Sequence, residues 1–416
     1  MSKKILIHSI VFSPDGVSTA YLYNDIALKF KEVGFEVSVL TTTPHYNVVA
    51  DELKKQPLKK RTFGLFYESD FHGIKVKHVY QKKYKSTFLR MLGFVYWHLV
   101  SFFIALFEKN VDIILSPSPP LTIGFLNILI GKLKKSKVIY NVQEIYPDLL
   151  IEEGGLNSKT TISFLKWMEK FVYNHSDGVT TIDQVFYNTI APRFKNKSKL
   201  HIIPNFVDTN IYKPISNENL ELNPTLFPVT ESLKVMYAGN IGHAQDWNPL
   251  IVLAEELKND PIEFFVIGEG AEKETLISEK SGRKLEKLHI IPYQSRELMP
   301  SLLSYSDIQF IFMAPQTESH GFPSKVYTIM ACSKPLIVCS GENTPIINFL
   351  NNKDCAFLIT ERDLQTKVKT MVDILRNTSL AEIERMGNNG YANIANNYSK
   401  GKVTGKYVNL VNELLG

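Results

Sequence analysis

Residues 4–40 read KILIHSIVFSPDGVSTAYLYNDIALKFKEVGFEVSVL, and this stretch decides the fold class. The apolar run Lys4–Phe12 predicts a strand, Ser18–Val33 predicts a helix, and Glu36–Leu40 predicts a second strand. A polar loop, Ser13–Val17, follows the first strand at its carboxyl end, where open parallel sheets bind their ligands. The stretch therefore predicts a βαβ unit that begins a doubly wound parallel sheet.

The same alternation of strands and helices recurs along the chain in two series. The first series has predicted strands at Val111–Leu115, Lys137–Val142, Gly178–Thr181 and Leu200–Ile203. The second has predicted strands at Leu233–Tyr237, Glu263–Ile267, Leu288–Ile291, Ile308–Phe312, Pro335–Val338 and Ala356–Ile359. Two α/β domains are also what a chain of 416 residues favours.

The polar residues 214–232, between the two series, include three prolines and predict a linker. We accordingly expect an N-terminal Rossmann-like domain over residues 1–213, a linker over 214–232 and a C-terminal Rossmann-like domain over 233–401. Residues 402–416 carry apolar side chains at helical spacing, and we expect this last helix to pack back on the N-terminal domain.

Composition excludes the disordered and fibrous classes, since 44% of the residues are hydrophobic and 21% are charged. Cys332, Cys339 and Cys355 lack the spacing of metal ligands and predict free thiols in a reducing cytosol. The apolar run at the N-terminus is short and has no cleavage pattern, so it predicts a strand and not a signal peptide.

Charge is distributed unevenly along the chain. Residues 1–204 contain 27 Lys and Arg against 17 Asp and Glu, whereas the remaining residues contain 20 against 25. Three basic clusters account for much of the excess: Lys54, Lys55, Lys59, Lys60 and Arg61; Lys82, Lys83, Lys85 and Arg90; and Lys132, Lys134, Lys135 and Lys137. An anionic membrane surface is the expected partner, in preference to nucleic acid.

The second basic cluster leads into the apolar segment Met91–Phe107, MLGFVYWHLVSFFIALF. Seventeen residues are at the lower limit for a bilayer span, and His98 and Ser101 argue against one. A buried crossover helix is the favoured interpretation, and a membrane-embedded helix is the alternative. Peripheral membrane contact is compatible with either.

Residues 323–335, PSKVYTIMACSKP, place one lysine at a predicted helix start within an apolar segment. Pro323 suits a first helical turn, and Ser324 is a candidate cap. The free amides of such a helix start attract an anion, which Lys325 would also contact. The segment predicts a phosphate site, and a core helix whose lysine reaches out to solvent is the alternative.

Taken together, several segments resemble the retaining, two-domain glycosyltransferases of family 4, which have the GT-B fold. In chain order these are FSPDGVSTAYLYNDIA, NVQEIYPDL, PNFVDTNIYKP, YAGNIGHAQ, VIGEG and SHGFPSKVYTIMACSKPLIV. The resemblance covers almost the whole chain and is strongest with enzymes that build bacterial surface polysaccharides, in a subgroup with a PSK motif. It implies two Rossmann-like, doubly wound domains facing across a cleft.

In that family the second domain binds a nucleotide-diphospho-sugar and the first supplies the acceptor site. The resemblance implies these donor-binding residues: Gly16, Asn240, Gly242, Tyr293, Phe322, Pro323, Ser324, Lys325 and Thr328. The sequence has no Asp-x-Asp motif, so neither a metal nor another cofactor is expected, and Lys325 is the predicted cation at the diphosphate.

This chain departs from the family pattern at two glutamate positions, which hold His320 and Thr328. His320 stands where relatives have a glutamate near the sugar, and it is one of two catalytic candidates. Thr328 stands where relatives have the glutamate that binds the ribose, and the ribose contact is therefore expected to be weakened or moved. Glu318 is a candidate replacement for that glutamate. Relatives also carry basic residues around the loop that here contains His243 and Asp246.

Glu144 is the second catalytic candidate. It follows the strand Lys137–Val142 and corresponds to an acidic residue in similar enzymes, where it would orient the acceptor hydroxyl. A carboxylate that merely stabilises a helix start is the alternative. His8, His45 and His201 are expected to be structural or surface residues.

The resemblance implies a cytoplasmic enzyme, peripheral on the inner face of the plasma membrane. Its expected reaction transfers a hexosyl or N-acetylhexosaminyl group with retention from a nucleotide-sugar to a lipid-linked saccharide. The expected nucleotide of the donor is UDP. Capsule, O-antigen or exopolysaccharide synthesis is the expected setting. A sugar-nucleotide epimerase of the same fold and a degenerate, non-catalytic partner subunit are the alternatives.

Overall fold

The computed structural model describes residues 2–46, 48, 50–82, 86–152, 154–318 and 322–416. The chain divides into two compact units. Unit 1 comprises Met1–Asn205 with Gly401–Gly416, and unit 2 comprises Phe206–Lys400. Residues 214–232, the predicted linker, therefore lie inside unit 2, where Phe227 is buried against Met236 and Phe265.

Unit 1 is built on a sheet with the strand order β3-β4-β5-β2-β1-β6-β7-β8-β9 over the described residues. Its strands are β1 Lys4–His8, β2 Glu36–Thr42, β3 Lys59–Arg61, β4 Phe66–Phe71, β5 Ile74–Val79, β6 Ile113–Pro117, β7 Lys137–Val142, β8 Gly178–Thr181 and β9 Leu200–Ile202. Its helices are α1 Ser18–Glu32, α2 Ala50–Lys55, α3 Thr87–Phe107, α4 Leu121–Lys134, α5 Asp148–Glu152, α6 Lys159–His175 and α7 Gln184–Ile190. The pairings from β5 through β9 are parallel, as the βαβ pattern predicts.

The strands β3, β4 and β5 pair antiparallel, and the sequence analysis did not predict them. Phe71 and Ile74 face each other across the two-residue turn His72-Gly73, whose residues both have positive φ. Such a turn suits the twist of a hairpin, and it was the signal available in the sequence. Part of the first basic cluster is edge strand β3, where Arg61 pairs with Glu68 at 2.6 Å. Basic residues on an edge strand discourage pairing with other chains.

Unit 2 contains a parallel sheet with the order β12-β11-β10-β13-β14-β15. Its strands are β10 Leu233–Ala238, β11 Ile262–Ile267, β12 Leu288–Ile291, β13 Ile308–Phe312, β14 Leu336–Cys339 and β15 Ala356–Ile359. Its helices are α8 Asn248–Glu256, α9 Lys273–Arg283, α10 Met299–Tyr305, α11 Lys325–Ala331, α12 Pro345–Leu350, α13 Leu364–Asn377 and α14 Leu380–Asn397. The strands β11 and β12 are added in turn on one side of β10, and β13, β14 and β15 are then added in turn on its other side. The strand order thus reverses between β10 and β13, where open α/β sheets form a ligand crevice.

The last helix, α15 Lys400–Leu415, lies in unit 1 from Gly401 onward. Tyr407 is buried, and its hydroxyl accepts a hydrogen bond from Nδ2 of Asn141 at 3.0 Å. Asn141 is itself fully buried in β7, where it also accepts from the Tyr23 hydroxyl at 2.6 Å. A satisfied polar group of this kind fixes the helix in one position on the sheet.

The prediction that Met91–Phe107 is a buried helix is wrong. The helix α3 connects β5 to β6 as a crossover, yet only 17% of its most apolar window is buried inside the structure. Trp97, Ser101 and Ala105 are buried on one side of α3, whereas its other sides are largely exposed. By length and composition alone, Phe88–Phe107 meets the requirements of a membrane span.

Two glycines allow the loops after β10 and β11 to touch. A Cβ at Gly268 would lie 1.9 Å from the carbonyl oxygen of Gly239, and one at Gly270 would lie 2.1 Å from that of Ile241. Gly268 also has φ of 148°, which favours glycine. The two loops are further joined by the N–H of Ile241, which donates to the carbonyl of Glu269 at 2.8 Å.

We predict that Gly268→Ala lowers the free energy of unfolding of unit 2 by about 2–4 kcal/mol, because the backbone of Gly239 must move away. The matched control is Gly282→Ala in α9, where a Cβ would meet nothing within 4 Å. That change should stay within about 1 kcal/mol of the wild type. Denaturant unfolding monitored by circular dichroism measures both, and equal stabilities would contradict the prediction.

Candidate functional site

The side chain of Lys325 lies at the crevice between β10 and β13. Lys325 is the first residue of α11, which follows the long loop after β13. Its Nζ donates a hydrogen bond to the carbonyl of Ala238, the last residue of β10, at 3.1 Å. Its Nζ also lies 3.6 Å from the ring centroid of Tyr237, which is a cation–π distance. The predicted lysine is therefore placed at the switch point of the sheet.

The loop after β10 allows this amine to approach its backbone closely. A Cβ at Gly239 would lie 2.4 Å from Nζ of Lys325, so glycine is required for this approach. The hydroxyl of Tyr237 donates to the carbonyl of Asn240 at 2.8 Å and holds the loop. The carbonyl of Gly242 accepts from Nε1 of Trp247 at 3.2 Å. Asn240 and Gly242, both predicted donor-binding residues, thus lie in the loop that contacts Lys325.

Lys325 is a buried amine without a carboxylate partner among the residues described. Burial lowers its pKa to about 7, because an unpaired ammonium is poorly solvated there. At neutral pH the side chain is therefore close to losing its charge. An anion bound beside Nζ would favour the ammonium and raise the pKa again. Lys325 would therefore carry its full charge at neutral pH only when an anionic ligand is bound.

We predict that binding of UDP at pH 8 is accompanied by uptake of about one proton. The free protein holds Lys325 largely neutral above its pKa of about 7, and the bound diphosphate restores the ammonium. At pH 6 the uptake should fall towards zero, because the lysine is already protonated. Calorimetric titration in buffers of different ionisation enthalpy measures it.

The matched control for this experiment is Lys334→Ala. Lys334 is a second lysine whose pKa is lowered by burial, but it precedes β14, at the opposite edge of the sheet. This variant should retain the proton uptake, and Lys325→Ala should lose it. Heats of binding at pH 8 that do not vary with the buffer would contradict the assignment.

The other predicted donor residues of unit 2 lie around α11 and β12. Ser324 stands at the N-cap position of α11 without a side-chain cap bond, next to Pro323. Phe322 packs on Tyr327, with ring centroids 5.4 Å apart. The hydroxyl of Thr328 donates back to the carbonyl of Lys325 at 2.8 Å, so it is engaged within the helix. Tyr293 is 65% exposed after β12, and its N–H donates to the carboxylate of Glu269 at 3.4 Å.

The structure places Glu318 in an ion pair that the sequence did not reveal. Glu318 is buried, and its carboxylate accepts from the N–H of Gly341 at 2.7 Å and from Nη2 of Arg362 at 2.5 Å. Three segments that follow β13, β14 and β15 are joined by these bonds. Both carboxylate oxygens of Glu318 are thus engaged within unit 2.

His320, the catalytic candidate of the SHGFP segment, lies outside the described residues. His243 is described, and its Nδ1 lies 2.6 Å from a carboxylate oxygen of Glu272. His243 and Asp246 both line a cavity of about 300 Å³ between α8 and α9. The histidine and the aspartate that the sequence analysis named in this loop thus share one cavity.

In unit 1 the predicted residues lie at the carboxyl edge of the sheet. Glu144 is half-buried just after β7, and its backbone carbonyl accepts from the Ser118 hydroxyl at 3.2 Å. Gly16 lies in the loop after β1, and its N–H donates to the carbonyl of Tyr46 at 3.0 Å. The strand order puts β6 between β1 and β7, so these two residues lie along one edge.

Asp15 is a carboxylate that the sequence analysis did not select. It is 3% exposed, and one carboxylate oxygen accepts from the N–H groups of His45 and Tyr46, at 2.9 and 2.8 Å. Burial raises the pKa of this carboxyl, although the two N–H groups oppose the shift. Asp15 therefore ties the loop after β1 to the loop after β2. Its place directly before Gly16 in the polar loop was the available signal.

The structure gives His8 a buried, structural environment. Its Nδ1 lies 2.7 Å from Oδ1 of Asn127, and burial lowers its pKa to about 4. His45 is half-buried, with Nδ1 2.8 Å from the carbonyl of Thr43. Within the described ranges, no group of three or more His, Cys, Asp or Glu residues lies close enough to hold a metal ion.

Comparisons with known proteins agree with this geometry. Residues 222–393 match the family model described as glycosyl transferases group 1. The chain is 21% identical over 355 residues to WcaI of Escherichia coli strain K12, whose name assigns it to glycosyl transfer in colanic acid biosynthesis. This match covers 82% of the chain and 84% of WcaI.

Two solved structures share the architecture over almost the whole chain. HepE of Anabaena, in complex with UDP, superposes with a TM-score of 0.71 and 13% identity, covering 99% of this chain and 100% of HepE. WaaG, a glycosyltransferase of lipopolysaccharide biosynthesis, superposes with a TM-score of 0.66 and 11% identity, covering 98% and 99%. The fold is therefore GT-B, and unit 2 contains a glycosyl transferases group 1 domain. The protein is accordingly a glycosyltransferase, with homology to WcaI.

Proposed function

We propose that the protein is a retaining glycosyltransferase of family 4 and its PSK-motif subgroup. In this proposal it transfers a hexosyl or N-acetylhexosaminyl group from a UDP-sugar to a lipid-linked saccharide in capsule, O-antigen or exopolysaccharide biosynthesis. The observation that carries the proposal is the buried amine of Lys325 at the crevice of unit 2. HepE, which has the same fold, binds UDP and UDP-glucose, and this supports the choice of donor.

In the proposed reaction Lys325 contacts the donor's diphosphate. Breaking the sugar–phosphate bond leaves additional negative charge on the departing UDP. A buried ammonium stabilises that charge more strongly than an exposed one, because little water competes for it. The amine would leave the Ala238 carbonyl and turn towards the phosphate, a short movement across Gly239. This cation would neutralise the leaving group in an enzyme that needs no metal.

Glu144 is the proposed positioning group for the acceptor. It stands at the carboxyl edge of the unit 1 sheet, where a carboxylate can accept a hydrogen bond from the acceptor hydroxyl. In retaining transfer the hydroxyl attacks the face of the sugar from which UDP departs, and the UDP oxygen takes its proton. Glu144 would therefore orient the nucleophile, and a separate protein base is not required.

We predict that UDP binds with micromolar affinity and that Lys325→Ala weakens binding at least tenfold, which matches the loss of one charge-assisted hydrogen bond. Calorimetric titration measures this, with GDP as the competing nucleotide and Lys334→Ala as the control for loss of a partly buried lysine in unit 2. The proposal predicts the same UDP affinity with EDTA present. Absence of binding by either nucleotide would instead favour the degenerate partner subunit.

A sugar-nucleotide epimerase of the same fold is the second candidate reaction. It would convert the UDP-sugar without an acceptor, whereas a transferase consumes the donor only when an acceptor lipid is present, apart from slow hydrolysis. Chromatography of the products formed with and without acceptor lipid separates the two reactions.

The protein is further proposed to act at the inner face of the plasma membrane, as a peripheral cytoplasmic enzyme. One side of α3 carries six exposed apolar residues at helical spacing, here called the apolar face: Phe88, Leu92, Val95, Leu99, Phe103 and Phe107. Because α3 packs on the sheet through Trp97 and Ala105, it would lie in the bilayer surface and not cross it. Apolar faces of this size mark interaction sites.

The helices next to α3 also expose apolar side chains, and one of them carries a lysine beside an aromatic ring. The helix α4 packs against both α3 and α6, and Leu133, Phe164 and Trp167 on these helices are exposed. Lys132 of α4 lies over the Phe171 ring, with Nζ 5.6 Å from the centroid. Lysines beside exposed aromatic side chains suit an anionic bilayer surface, where each adds about 1 kcal/mol of attraction.

We predict that the double variant Leu99→Glu, Phe103→Glu binds vesicles of phosphatidylglycerol at least tenfold more weakly than the wild type. Both residues are more than half exposed, at 58% and 53%, so the change should not disturb the core. Leu380→Glu, an exposed leucine on α14 of unit 2, is the matched control and should bind normally. Vesicle sedimentation measures all three proteins. Equal binding by the double variant would contradict the role of the apolar face.

A further inference from the structure

Two cavities lie side by side in unit 1. The larger, here called the loop cavity, has a volume of about 710 Å³ and lies at the carboxyl ends of β2 and β5. Its apolar lining includes Pro44, Val48, Leu53, Pro57, Leu58 and Tyr80. The smaller, here called the helix groove, has a volume of about 340 Å³ and is lined by Leu89, Leu92, Gly93 and Tyr96 of α3. The loop cavity has the size of an ordinary ligand site.

The two cavities share one wall, the segment Tyr80–Lys82 that follows β5. Thr43 fixes this wall, because its hydroxyl donates to the carbonyl of Gln81 at 2.8 Å and accepts from the N–H of Gln81 at 2.9 Å. A wall held in this way keeps both cavities open beside each other. The two cavities adjoin along this segment, and together they are here called the track, which extends from α3 to the loop after β2.

One end of this track reaches the apolar face. Leu92 lines the helix groove and is also one of the six residues of that face. A hydrocarbon chain leaving a bilayer in contact with α3 would therefore meet the helix groove without crossing a polar surface. Burial of such a chain is favourable in proportion to the apolar area removed from water.

Polar groups lie along the shared wall and in the loop cavity beyond it. Lys82 is exposed at the shared wall, and it makes no ion pair with any described residue. Oε1 of Gln81 is buried without a hydrogen-bond partner in the described part of the chain. His45 lines the loop cavity, and Asp15 binds its N–H at 2.9 Å. The loop cavity thus adjoins the edge where Gly16 and Glu144 lie.

We propose that the loop cavity and the helix groove bind the hydrocarbon chain of a lipid phosphate, with Lys82 contacting the phosphate. This inference rests on the proposed function, since it gives the lipid-linked acceptor a site in unit 1. An apolar track with a cation at its wall matches an amphiphile that has one long chain and one anionic group. A peptide would instead leave its backbone N–H and C=O groups unpaired along these apolar walls.

Farnesyl phosphate is the test ligand. Farnesol and inorganic phosphate are the control ligands, since each represents one part of it. Calorimetric titration of the full-length protein should show binding of farnesyl phosphate, weaker binding of farnesol and none of inorganic phosphate. Leu53→Glu places a charge in the loop cavity, and Leu58→Trp fills it, so each should raise the Kd for farnesyl phosphate at least tenfold. Lys82→Ala should raise it about tenfold and leave the Kd for farnesol unchanged.

Leu58→Met is the conservative control and should bind farnesyl phosphate as the wild type does. Thermal unfolding followed by circular dichroism identifies any variant that fails to fold. The Leu99→Glu, Phe103→Glu variant should retain farnesyl phosphate binding while losing vesicle binding, which separates this site from the bilayer surface. Farnesyl phosphate that does not bind, or that binds Leu53→Glu and Leu58→Trp normally, would overturn the proposal. UDP titration distinguishes this failure from failure of the proposed function, because Lys325 and the loop after β10 lie in unit 2.

Discussion

Within the described residues, the amine of Lys325 is buried without a carboxylate partner, and the loops around it in unit 2 depend on this constraint. An unpaired ammonium is costly to bury, and the structure limits this cost with the Ala238 carbonyl and the Tyr237 ring. The close approach requires glycine at position 239, and the contact between neighbouring loops requires glycine at position 268. The same lack of a carboxylate leaves Lys325 available to an anionic ligand. Stability and donor binding therefore make opposite demands on this residue.

Both sheets follow the rule that parallel strands collect functional loops at their carboxyl edge. In unit 2 the reversal of strand order between β10 and β13 brings Lys325 to Gly239. In unit 1 the corresponding edge carries Gly16 and Glu144, and Asp15 connects it to the loop cavity. The proposed function accordingly assigns one substrate to each unit, a nucleotide-sugar to unit 2 and an amphiphilic acceptor to unit 1.

The departures from the family pattern have physical consequences in the structure. Thr328 is too short to replace a glutamate, and its hydroxyl is engaged by the carbonyl of its own helix. Glu318 is close in sequence but is held by Arg362 and the N–H of Gly341. In the proposed function the contacts to the ribose are therefore fewer, and the phosphate contact at Lys325 contributes more of the donor affinity.

The sequence by itself determined the parallel strands of both sheets, because hydrophobic periodicity and loop residues are local signals. Helix Ser18–Val33 was predicted, and α1 spans Ser18–Glu32. The position of Lys325 at a helix start was also readable from the sequence. Tertiary structure alone decided what this lysine contacts, because Ala238 and Tyr237 are more than eighty residues away. It also decided that α3 is exposed, since apolar composition does not reveal whether a second layer covers a helix. The ion pair of Glu318 with Arg362 and the track shared by the two cavities depend likewise on contacts between distant segments, which no local pattern specifies.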